Sequence, residues 1–445
     1  MPDAGSELPV YDLVGVGFGP SNLALAIAVA EHNTERVDGE SVSVRFLERQ
    51  PAFGWHRGML LDDATMQVSF LKDLVTLRNP ASRFSFLSFL HDRDRLIDFI
   101  NHKSLFPLRL EFHDYLEWAS NKVDDVVDWG HEVVKIEPVE QGGAVAYLDV
   151  TAVSGDEVVT YRARNVVLGA GLVPRLPDGV TPSDRVWHSE HLLRRVEQFE
   201  ESSRAHPATP SRFIVVGAGQ SAAEVTSFLH QRYPSAEVCS VFSRYGYSPA
   251  DDSPFANRIF DPAAVDDFYD APADVKSMLI GYHGNTNYSV VDGELIEDLY
   301  RRAYQEKVTG TERLKMLNVS RVREVTETEN GVRAVIESLS TGDTFALAAD
   351  VIVYSTGYRP ADPYALLGEV GALCPPDDTG RPRLGRDYRV IAKPELECGI
   401  YLQGGTEHTH GLSSSLLSNS AVRAGEILDS IRRPVRAPLQ LSSRA

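Results

Sequence analysis

The sequence predicts an α/β fold made of two Rossmann-like dinucleotide-binding domains and a small, mainly helical region. The chain has 445 residues, which is too long for one ordinary core. An apolar strand, a glycine turn and a helix follow one another at residues 10–27. The same pattern returns at residues 213–229, so the chain contains two copies of one nucleotide-binding unit.

The first copy has the features of a complete dinucleotide-binding turn. Its glycine run, GVGFGP, opens a helix, and the strand at residues 42–48 ends in an acid. Gly15 permits the tight turn, Gly17 lets a pyrophosphate approach the backbone, and Glu48 can accept ribose hydroxyls. The alternative is a glycine turn that only packs. The cofactor-binding residues predicted here are Gly15, Gly17, Gly19, Pro20 and Glu48.

The second copy favours NADP over NAD. Its turn reads GAGQSA, a variant that dinucleotide-binding folds tolerate. The strand that follows, residues 237–242, ends in a hydroxyl and a cation instead of an acid, which suits a 2′-phosphate. An exposed arginine at a strand end is the alternative. The residues predicted to bind NADPH are Gly217, Gly219, Gln220, Ser221, Ser243 and Arg244.

Two dinucleotide sites in one chain indicate a flavin oxidoreductase with FAD in the first site and NADPH in the second. We expect residues 1–205 to form the first part of the FAD-binding domain. Residues 206–349 form the NADPH-binding domain, with a substrate-binding insertion at about 245–305, and residues 350–445 return to the FAD-binding domain and end in a mobile tail. A stretch rich in Ser, Pro and Ala at residues 203–211 is typical of a linker.

Composition excludes several classes of protein. The net charge of −19 argues against binding of nucleic acid, whose phosphates need a basic surface. No stretch approaches the roughly 20 apolar residues of a membrane span, and residues 1–9 lack the features of a signal peptide. The three cysteines form no CxxC motif, and Glu407, His408 and His410 are not spaced as a metal site, so we expect a cytoplasmic protein without metal.

Specific motifs are spread along the chain: GVGFGPSNL (15–23), GWHRGM (54–59), MQVSFLKDL (66–74), ADDSPFAN (250–257), NTNYSVVD (285–292), STGY (355–358) and THGLSSSLLS (409–418). These motifs resemble those of a known family, the microbial N-hydroxylating flavoprotein monooxygenases. The resemblance is closest to the L-ornithine N-monooxygenases of siderophore and peptide biosynthesis and covers nearly the whole chain. The family's usual ATGY reads STGY here. Such enzymes typically form homo-tetramers.

The resemblance implies a site for an amino acid. Lys72, which by default would be a surface lysine with a buried stem, pairs with the substrate carboxylate in the family. Asn257 and Asn287, by default turn formers, contact the amino acid, because an amide can both donate and accept. Ser418 approaches the side-chain amine, although three other serines lie close in sequence.

The resemblance also implies which residues surround the flavin. By default the aromatic residues among them are ordinary interior residues, whereas in the family they exclude water from the ring. The paired acids Asp251 and Asp252 are interpreted as a turn and not as a catalytic pair. The flavin-side residues are Trp55, His56, Gln67, Thr356, Tyr358 and Leu416.

The implied reaction is hydroxylation of the side-chain amine of L-ornithine by O2. NADPH reduces FAD, a C4a-hydroperoxyflavin forms, and the neutral amine attacks its distal oxygen, so no protein residue is expected to be the catalytic nucleophile. The first alternative is a lysine or diamine N-monooxygenase, because one methylene changes binding by only about 1–3 kcal/mol. The second is a sulfur-oxidising or Baeyer–Villiger-type flavin monooxygenase, and a flavin-bearing redox sensor is the non-enzymatic alternative.

Overall fold

Two five-stranded parallel sheets organise the chain, and each carries one of the two glycine turns. The computed structural model describes residues 8–35, 41–205 and 210–433. A four-stranded sheet, a three-stranded antiparallel sheet and a two-stranded pair complete the strands of these ranges. The predicted α/β fold class, with two Rossmann-like units and a helical region, is confirmed.

The described residues form the following strands: β1 (Val10–Tyr11), β2 (Leu13–Val16), β3 (Val44–Glu48), β4 (Val127–Trp129), β5 (Glu132–Gln141), β6 (Ala144–Ser154), β7 (Glu157–Ala163), β8 (Asn165–Leu168), β9 (Leu172–Pro174), β10 (Val186–His188), β11 (Arg212–Val216), β12 (Glu237–Val241), β13 (Leu314–Leu317), β14 (Ser320–Thr328), β15 (Gly331–Ser338), β16 (Thr344–Ala349), β17 (Val351–Tyr354), β18 (Tyr358–Pro360) and β19 (Gly399–Leu402). The α-helices are α1 (Pro20–Glu35), α2 (Phe86–Asp92), α3 (Leu96–His102), α4 (Arg109–Asn121), α5 (Leu192–Ala205), α6 (Gln220–Arg232), α7 (Pro262–Asp270), α8 (Ala273–His283), α9 (Gly293–Thr309), α10 (Tyr364–Leu367), α11 (Glu407–His410) and α12 (Ser420–Arg432).

The first parallel sheet has the strand order β19-β8-β2-β3-β4. Its glycine turn leads into α1, where every residue from Leu23 to Val29 is buried. Burial on all sides means that α1 lies inside the unit, and it packs against α12 and α4. The alanines among these residues let neighbouring elements approach closely. The first nucleotide-binding unit is thus built around a central helix that starts at the predicted site.

The strand predicted at residues 10–14 is interrupted at Asp12. Its carboxylate accepts hydrogen bonds from the backbone N–H and the hydroxyl of Ser43, at 2.9 and 2.8 Å. β1 therefore pairs with β7 in the four-stranded sheet, whereas β2 enters the parallel sheet between β8 and β3. The apolar pattern alone does not reveal this division, because both halves are compatible with a strand.

The second parallel sheet has the order β10-β17-β11-β12-β13. β11, β12 and β13 lie within residues 206–349, but β10 and β17 come from the chain on either side of that range. β17 pairs with β11 in parallel from Phe213↔Val351 to Val216↔Tyr354. The division at residues 205 and 349 stays a prediction, and the sheet pairing shows where the chain crosses between the two units.

The region between the second sheet's strands β12 and β13 is mainly helical. It contains two single-turn 3₁₀ helices, Ala256–Phe260 and Gly284–Thr286, together with α7, α8 and α9. α7 begins with Pro262, whose missing N–H costs nothing in the first turn. Asp292 caps α9 by accepting hydrogen bonds from the backbone N–H groups of Glu294 and Leu295.

Some predicted segments lie beyond the described residues. The predicted mobile tail, which begins after Arg433, lies entirely outside them, and the predicted linker at residues 203–211 lies partly outside. Among the helices that the structure does describe, none combines the length and the apolar character needed to cross a membrane.

A buried histidine stabilises the chain near its C-terminal end. His410 is fully buried, and its ring stacks on Tyr388 with centroids 4.0 Å apart. Nε2 donates to the carbonyl oxygen of Arg386 at 3.1 Å, and Nδ1 lies 2.8 Å from the Thr409 hydroxyl. Burial, reinforced by the charges of Arg386 and Arg423, lowers the pKa of His410 to about 4. The imidazole is therefore neutral at pH 7.

We expect His410 to make the stability of the protein depend on pH. Because its folded-state pKa is depressed from 6.5 to about 4, its contribution is present above about pH 6.5 and is lost as the pH falls towards 4. The full loss is on the order of 3 kcal/mol. The thermal midpoint of the wild type should therefore fall more steeply from pH 7 to pH 4 than that of His410→Phe, which keeps a ring that cannot titrate.

The matched control is His102→Phe, at an exposed position at the end of α3, which should retain the wild-type slope. Equal slopes for the wild type and His410→Phe would contradict this role of His410.

Candidate active site

The first glycine turn is held close to the neighbouring strand and is open towards the helix. Gly17 has a φ of 79°, and a Cβ atom there would lie 2.6 Å from the carbonyl oxygen of Gly169. A Cβ atom on Gly19 would meet nothing within 4 Å. Pro20 is the first residue of α1, as predicted. The turn therefore leaves open space where the helix N-terminus can receive an anion.

Glu48 lies at the end of β3, next to this turn, and is buried. One carboxylate oxygen accepts a hydrogen bond from the backbone N–H of Phe18 at 2.6 Å, and the other accepts from that of Gln50 at 2.9 Å. These bonds fix the carboxylate beside the glycine run. Each oxygen has a further lone pair, so binding of ribose hydroxyls by Glu48 stays a prediction.

Aromatic rings predicted to lie against the flavin cluster in the structure. The ring of His56 lies 4.7 Å from that of Trp55 and 6.2 Å from that of Tyr358, measured between centroids. The backbone of His56 has a φ of 49°, which is uncommon for a residue other than glycine and recurs at functional sites. His56 is exposed in the structure, yet desolvation by the surrounding protein, together with the nearby guanidinium of Arg109, lowers its pKa. The lowered pKa favours the neutral imidazole.

An ion pair that the sequence analysis missed joins the two nucleotide-binding units. Arg109, the first residue of α4, forms two hydrogen bonds to Glu224 of α6, at 2.6 and 2.9 Å. Both side chains are largely buried, and the Arg109 guanidinium also donates to the carbonyl oxygen of Met59. A bidentate contact of this kind fixes orientation as well as distance. Because 115 residues separate Arg109 from Glu224, no local sequence pattern predicts this ion pair.

Directly after the second glycine turn, the side chain of Gln220 forms hydrogen bonds within the protein. Gln220 accepts a hydrogen bond from the backbone N–H of Asp292 at 2.8 Å and donates to Glu224 at 3.0 Å. Its predicted contact with NADPH stays a prediction. Gly217, Gly219 and Ser221 lie in or beside the same turn, at the start of α6.

Ser243 and Arg244 follow β12 and are exposed. Residues that bind the 2′-phosphate of NADPH must be accessible in this way. The Arg244 guanidinium donates to the carbonyl oxygen of Ser289 at 2.9 Å. Ser289 has a φ of 57° and lies two residues after Asn287. The nucleotide unit and the segment predicted to bind substrate are therefore in direct contact.

The segments predicted to bind the amino acid also contact one another. The ammonium of Lys72 lies 5.8 Å from the ring centroid of Phe260, at the end of the 3₁₀ turn that contains Asn257. This turn contacts the Leu412–Ser415 turn. Tyr288, next to Asn287, hydrogen bonds to Glu407. Lys72 pairs with no carboxylate within the described ranges, so its charge is available to a ligand.

The side chain of Asn257 is fixed by a hydrogen bond at its amide nitrogen. Its amide nitrogen donates to the carbonyl oxygen of Asp252 at 2.6 Å, which leaves the amide oxygen free to accept. Asp251 accepts a hydrogen bond from the backbone N–H of Ser253 at 3.1 Å, so the predicted turn at the paired acids is confirmed. Gln67 is exposed, and Thr356 donates to the carbonyl oxygen of Arg175.

Buried polar atoms without partners mark the C-terminal loop. The hydroxyls of Ser414 and Ser418, and both amide atoms of Asn419, are buried and make no hydrogen bond. Such atoms are costly unless a ligand or water satisfies them. Leu416 lies between them. These residues fit a polar ligand, and Asn419 is a candidate that the sequence analysis missed.

A buried cation connects this loop to the first glycine turn. Arg423 of α12 donates to the hydroxyl of Ser21 at 3.0 Å, to the amide oxygen of Gln403 at 2.8 Å and to the carbonyl oxygen of Ser414. An arginine in a helix is usually exposed, so nothing in the sequence singles it out. No group of three or more His, Cys, Asp or Glu residues in the described part of the chain could hold a metal ion.

The chain is similar to known monooxygenases over most of its length. The chain is 40% identical to an L-ornithine N(5)-monooxygenase of Burkholderia cepacia, with 90% of each chain covered. It is 49% identical to the ornithine N-hydroxylase of Kutzneria sp. 744, whose solved structure with reduced FAD, NADP+ and L-ornithine has a TM-score of 0.90 and covers 95% of this chain and 99% of that one. It is 30% identical to an L-lysine 6-monooxygenase of Pseudomonas syringae, with a TM-score of 0.82 and coverage of 95% and 99%.

The family described as L-lysine 6-monooxygenase/L-ornithine 5-monooxygenase matches residues 9–360. This range includes both glycine turns, Lys72 and the two predicted asparagines. The resemblance seen in the motifs is thereby confirmed. The chain belongs to the L-lysine 6-monooxygenase/L-ornithine 5-monooxygenase family.

Proposed function

We propose that this chain is an FAD- and NADPH-dependent monooxygenase that hydroxylates the side-chain amine of L-ornithine, with O2 as the second substrate. The observation that carries the proposal is the unpaired lysine, Lys72, among segments that match the family's motifs, in a chain with two dinucleotide-binding turns. The higher identity to ornithine enzymes than to the lysine enzyme favours ornithine. A role in siderophore or peptide natural-product biosynthesis, in a cytoplasmic homo-tetramer, is part of the proposal.

The residues present are compatible with FAD at the first turn. The space beside Gly19 and the N-terminus of α1 suit a pyrophosphate, and Glu48 lies where ribose hydroxyls are bound in such folds. The unpartnered atoms of residues 414–419 suit the polar edge of a flavin or the substrate amine. When bound, FAD takes two electrons from NADPH and passes them to O2, so that one oxygen atom reaches the amine and the other leaves as water.

In this proposal the protein places the substrate and keeps its amine neutral. The Lys72 ammonium binds the carboxylate, while the amides of Asn257 and Asn287 bind the α-amino end. Ser418, buried and without an internal partner, offers its hydroxyl to the side-chain amine. A free amine has a pKa of about 10.4, so the site must favour the neutral form, which desolvation of the bound amine would do.

In this proposal a group of aromatic rings limits the access of water to the flavin. Trp55 packs against Phe112, and Tyr358 lies between the rings of His56 and His188. Burial raises the pKa of Tyr358, so its hydroxyl stays protonated. In this proposal bound FAD would cover the exposed side of His56, and these rings would then keep water away from the reacting oxygen.

Product analysis tests the function directly. The purified protein should contain FAD and, with NADPH and O2, convert L-ornithine to its side-chain hydroxylamine faster than it converts lysine, putrescine or aspartate. A higher kcat/KM for lysine or putrescine would make the lysine or diamine alternative correct. Flavin without any amine-dependent product would favour the redox sensor.

We expect Lys72→Ala to weaken ornithine binding specifically. A charge-assisted contact contributes about 1.5–3 kcal/mol, so KM for ornithine should rise roughly ten-fold to more than a hundred-fold. Flavin content and flavin reduction by NADPH should stay near wild type, while hydrogen peroxide is released instead of product. The control is Lys122→Ala, which removes a surface lysine paired with Asp92. An unchanged KM, or loss of FAD, in Lys72→Ala would show that the substrate site is misplaced.

We expect Arg244 to determine the preference for NADPH. Arg244→Ala removes the cation available to the 2′-phosphate, so kcat/KM for NADPH should fall about ten-fold or more while that for NADH stays nearly constant. Stopped-flow reduction of the flavin with each nicotinamide measures both. Arg323→Ala serves as the control, since this exposed arginine of the same unit is paired with Glu337. Equal losses for NADPH and NADH would remove the role given to Arg244.

A further inference from the structure

The positive charge of Arg423 is buried without an anion. Arg423 is 1% exposed, and its hydrogen bonds go to neutral oxygens, at Ser21, Gln403, Ser414 and Ser420. Within the residues that the structure describes, no carboxylate lies within the 4.0 Å of an ion pair to Arg423. Glu426, on the same helix, is bound at both oxygens by Arg386, at 2.9 Å each.

A buried charge in this state is unfavourable. Removal of a guanidinium from water costs several kcal/mol unless an opposite charge compensates, and neutral acceptors compensate only partly. Burial accordingly lowers the pKa of Arg423. The N-terminus of α1, at Ser21, adds partial positive charge of the same sign. Glu426 attracts Arg423 from beyond ion-pair distance but is bound by Arg386, so within the described residues the charge of Arg423 is only partly compensated until an anion binds.

The anion has room at one place near this charge. Ser21, which accepts from Arg423, is the second residue of α1, and the turn before it has open space at Gly19. Gln403, a further acceptor of Arg423, also donates to the backbone carbonyl oxygen of Ser21 at 3.1 Å. Arg423 and Gln403 thus hold the first turn of α1 from its buried side.

We propose that Arg423 is the buried counter-charge of the FAD pyrophosphate and acts on it through Ser21. It is a positioning residue: the pyrophosphate lies on the open side of the first turn of α1, and the guanidinium lies on the buried side. The inference rests on the proposed function, which places FAD at this turn. Absence of FAD from the wild-type protein would refute that function, whereas the variants below test Arg423 in a protein that binds FAD.

The test measures how much FAD stabilises the full-length protein. The thermal midpoint is recorded without FAD and at increasing FAD, and the shift gives the dissociation constant because a ligand stabilises by mass action. In Arg423→Gln the Kd of FAD should rise about ten-fold or more, whereas the midpoint without FAD should stay at or above that of the wild type, because the uncompensated charge is gone. Arg423→Lys keeps the charge but loses the forked hydrogen bonds of the guanidinium, so its Kd should rise less than that of Arg423→Gln.

Arg78→Gln is the matched control. Arg78 is a partly buried arginine beside α1 and α12, but its charge is balanced by Glu31 at 2.7 Å. This substitution should lower the midpoint with and without FAD by the same amount and leave the Kd unchanged. It represents a purely structural arginine at the same pair of helices.

Four results would overturn the proposal. An unchanged Kd in Arg423→Gln would make Arg423 a structural tie, as would equal losses of midpoint with and without FAD. A Kd that rises as much in Arg423→Lys as in Arg423→Gln would assign the effect to the shape of the guanidinium instead of its charge. The pyrophosphate keeps its charge when the flavin is reduced, so a counter-charge of the pyrophosphate should not change the reduction potential. A shifted flavin reduction potential in Arg423→Gln, at unchanged Kd, would therefore place the Arg423 charge near the flavin ring.

Discussion

The approach of Gly17 to the carbonyl oxygen of Gly169 is the constraint from which the first nucleotide-binding unit follows. No side chain fits between these two positions, so β2 and β8 can converge and α1 can begin directly after the turn. The start of α1 then determines where Ser21 meets Arg423 and Gln403. The C-terminal loop is connected to this point through the same arginine, although some 400 residues separate Ser21 from Arg423.

A second set of contacts relates the two units to each other. The Arg109–Glu224 pair joins α4 to α6, and Gln220 extends it to the N-terminus of α9 at Asp292. Electron transfer between two bound nucleotides requires that their reactive rings meet, so the relative position of the units is part of the chemistry. Buried, bidentate and hydrogen-bonded contacts are suited to this task, because they are directional where apolar packing is not.

Features that depend on neighbouring residues could be predicted from the sequence. The two glycine turns, the strand before the second of them and the turn at Asp251 lie where the patterns placed them, because each depends on neighbouring residues. The break at Asp12 and the entry of β17 into the second sheet depend on partners far along the chain. The roles of Arg109 and Arg423 were missed for the same reason. A charged residue in a helix is ordinary until its surroundings are known.

The hydrogen bond from Arg244 to the carbonyl oxygen of Ser289 has a consequence for protein engineering. Arg244, which we propose to bind the 2′-phosphate of NADPH, also supports the loop that carries Asn287. The preference for a nicotinamide cofactor and the position of the Asn287 loop therefore cannot be changed independently. A redesign that exchanges Arg244 to accept a cheaper nicotinamide also releases that loop, so it must be accompanied by compensating changes near Ser289, and the two positions should be randomised together in a library.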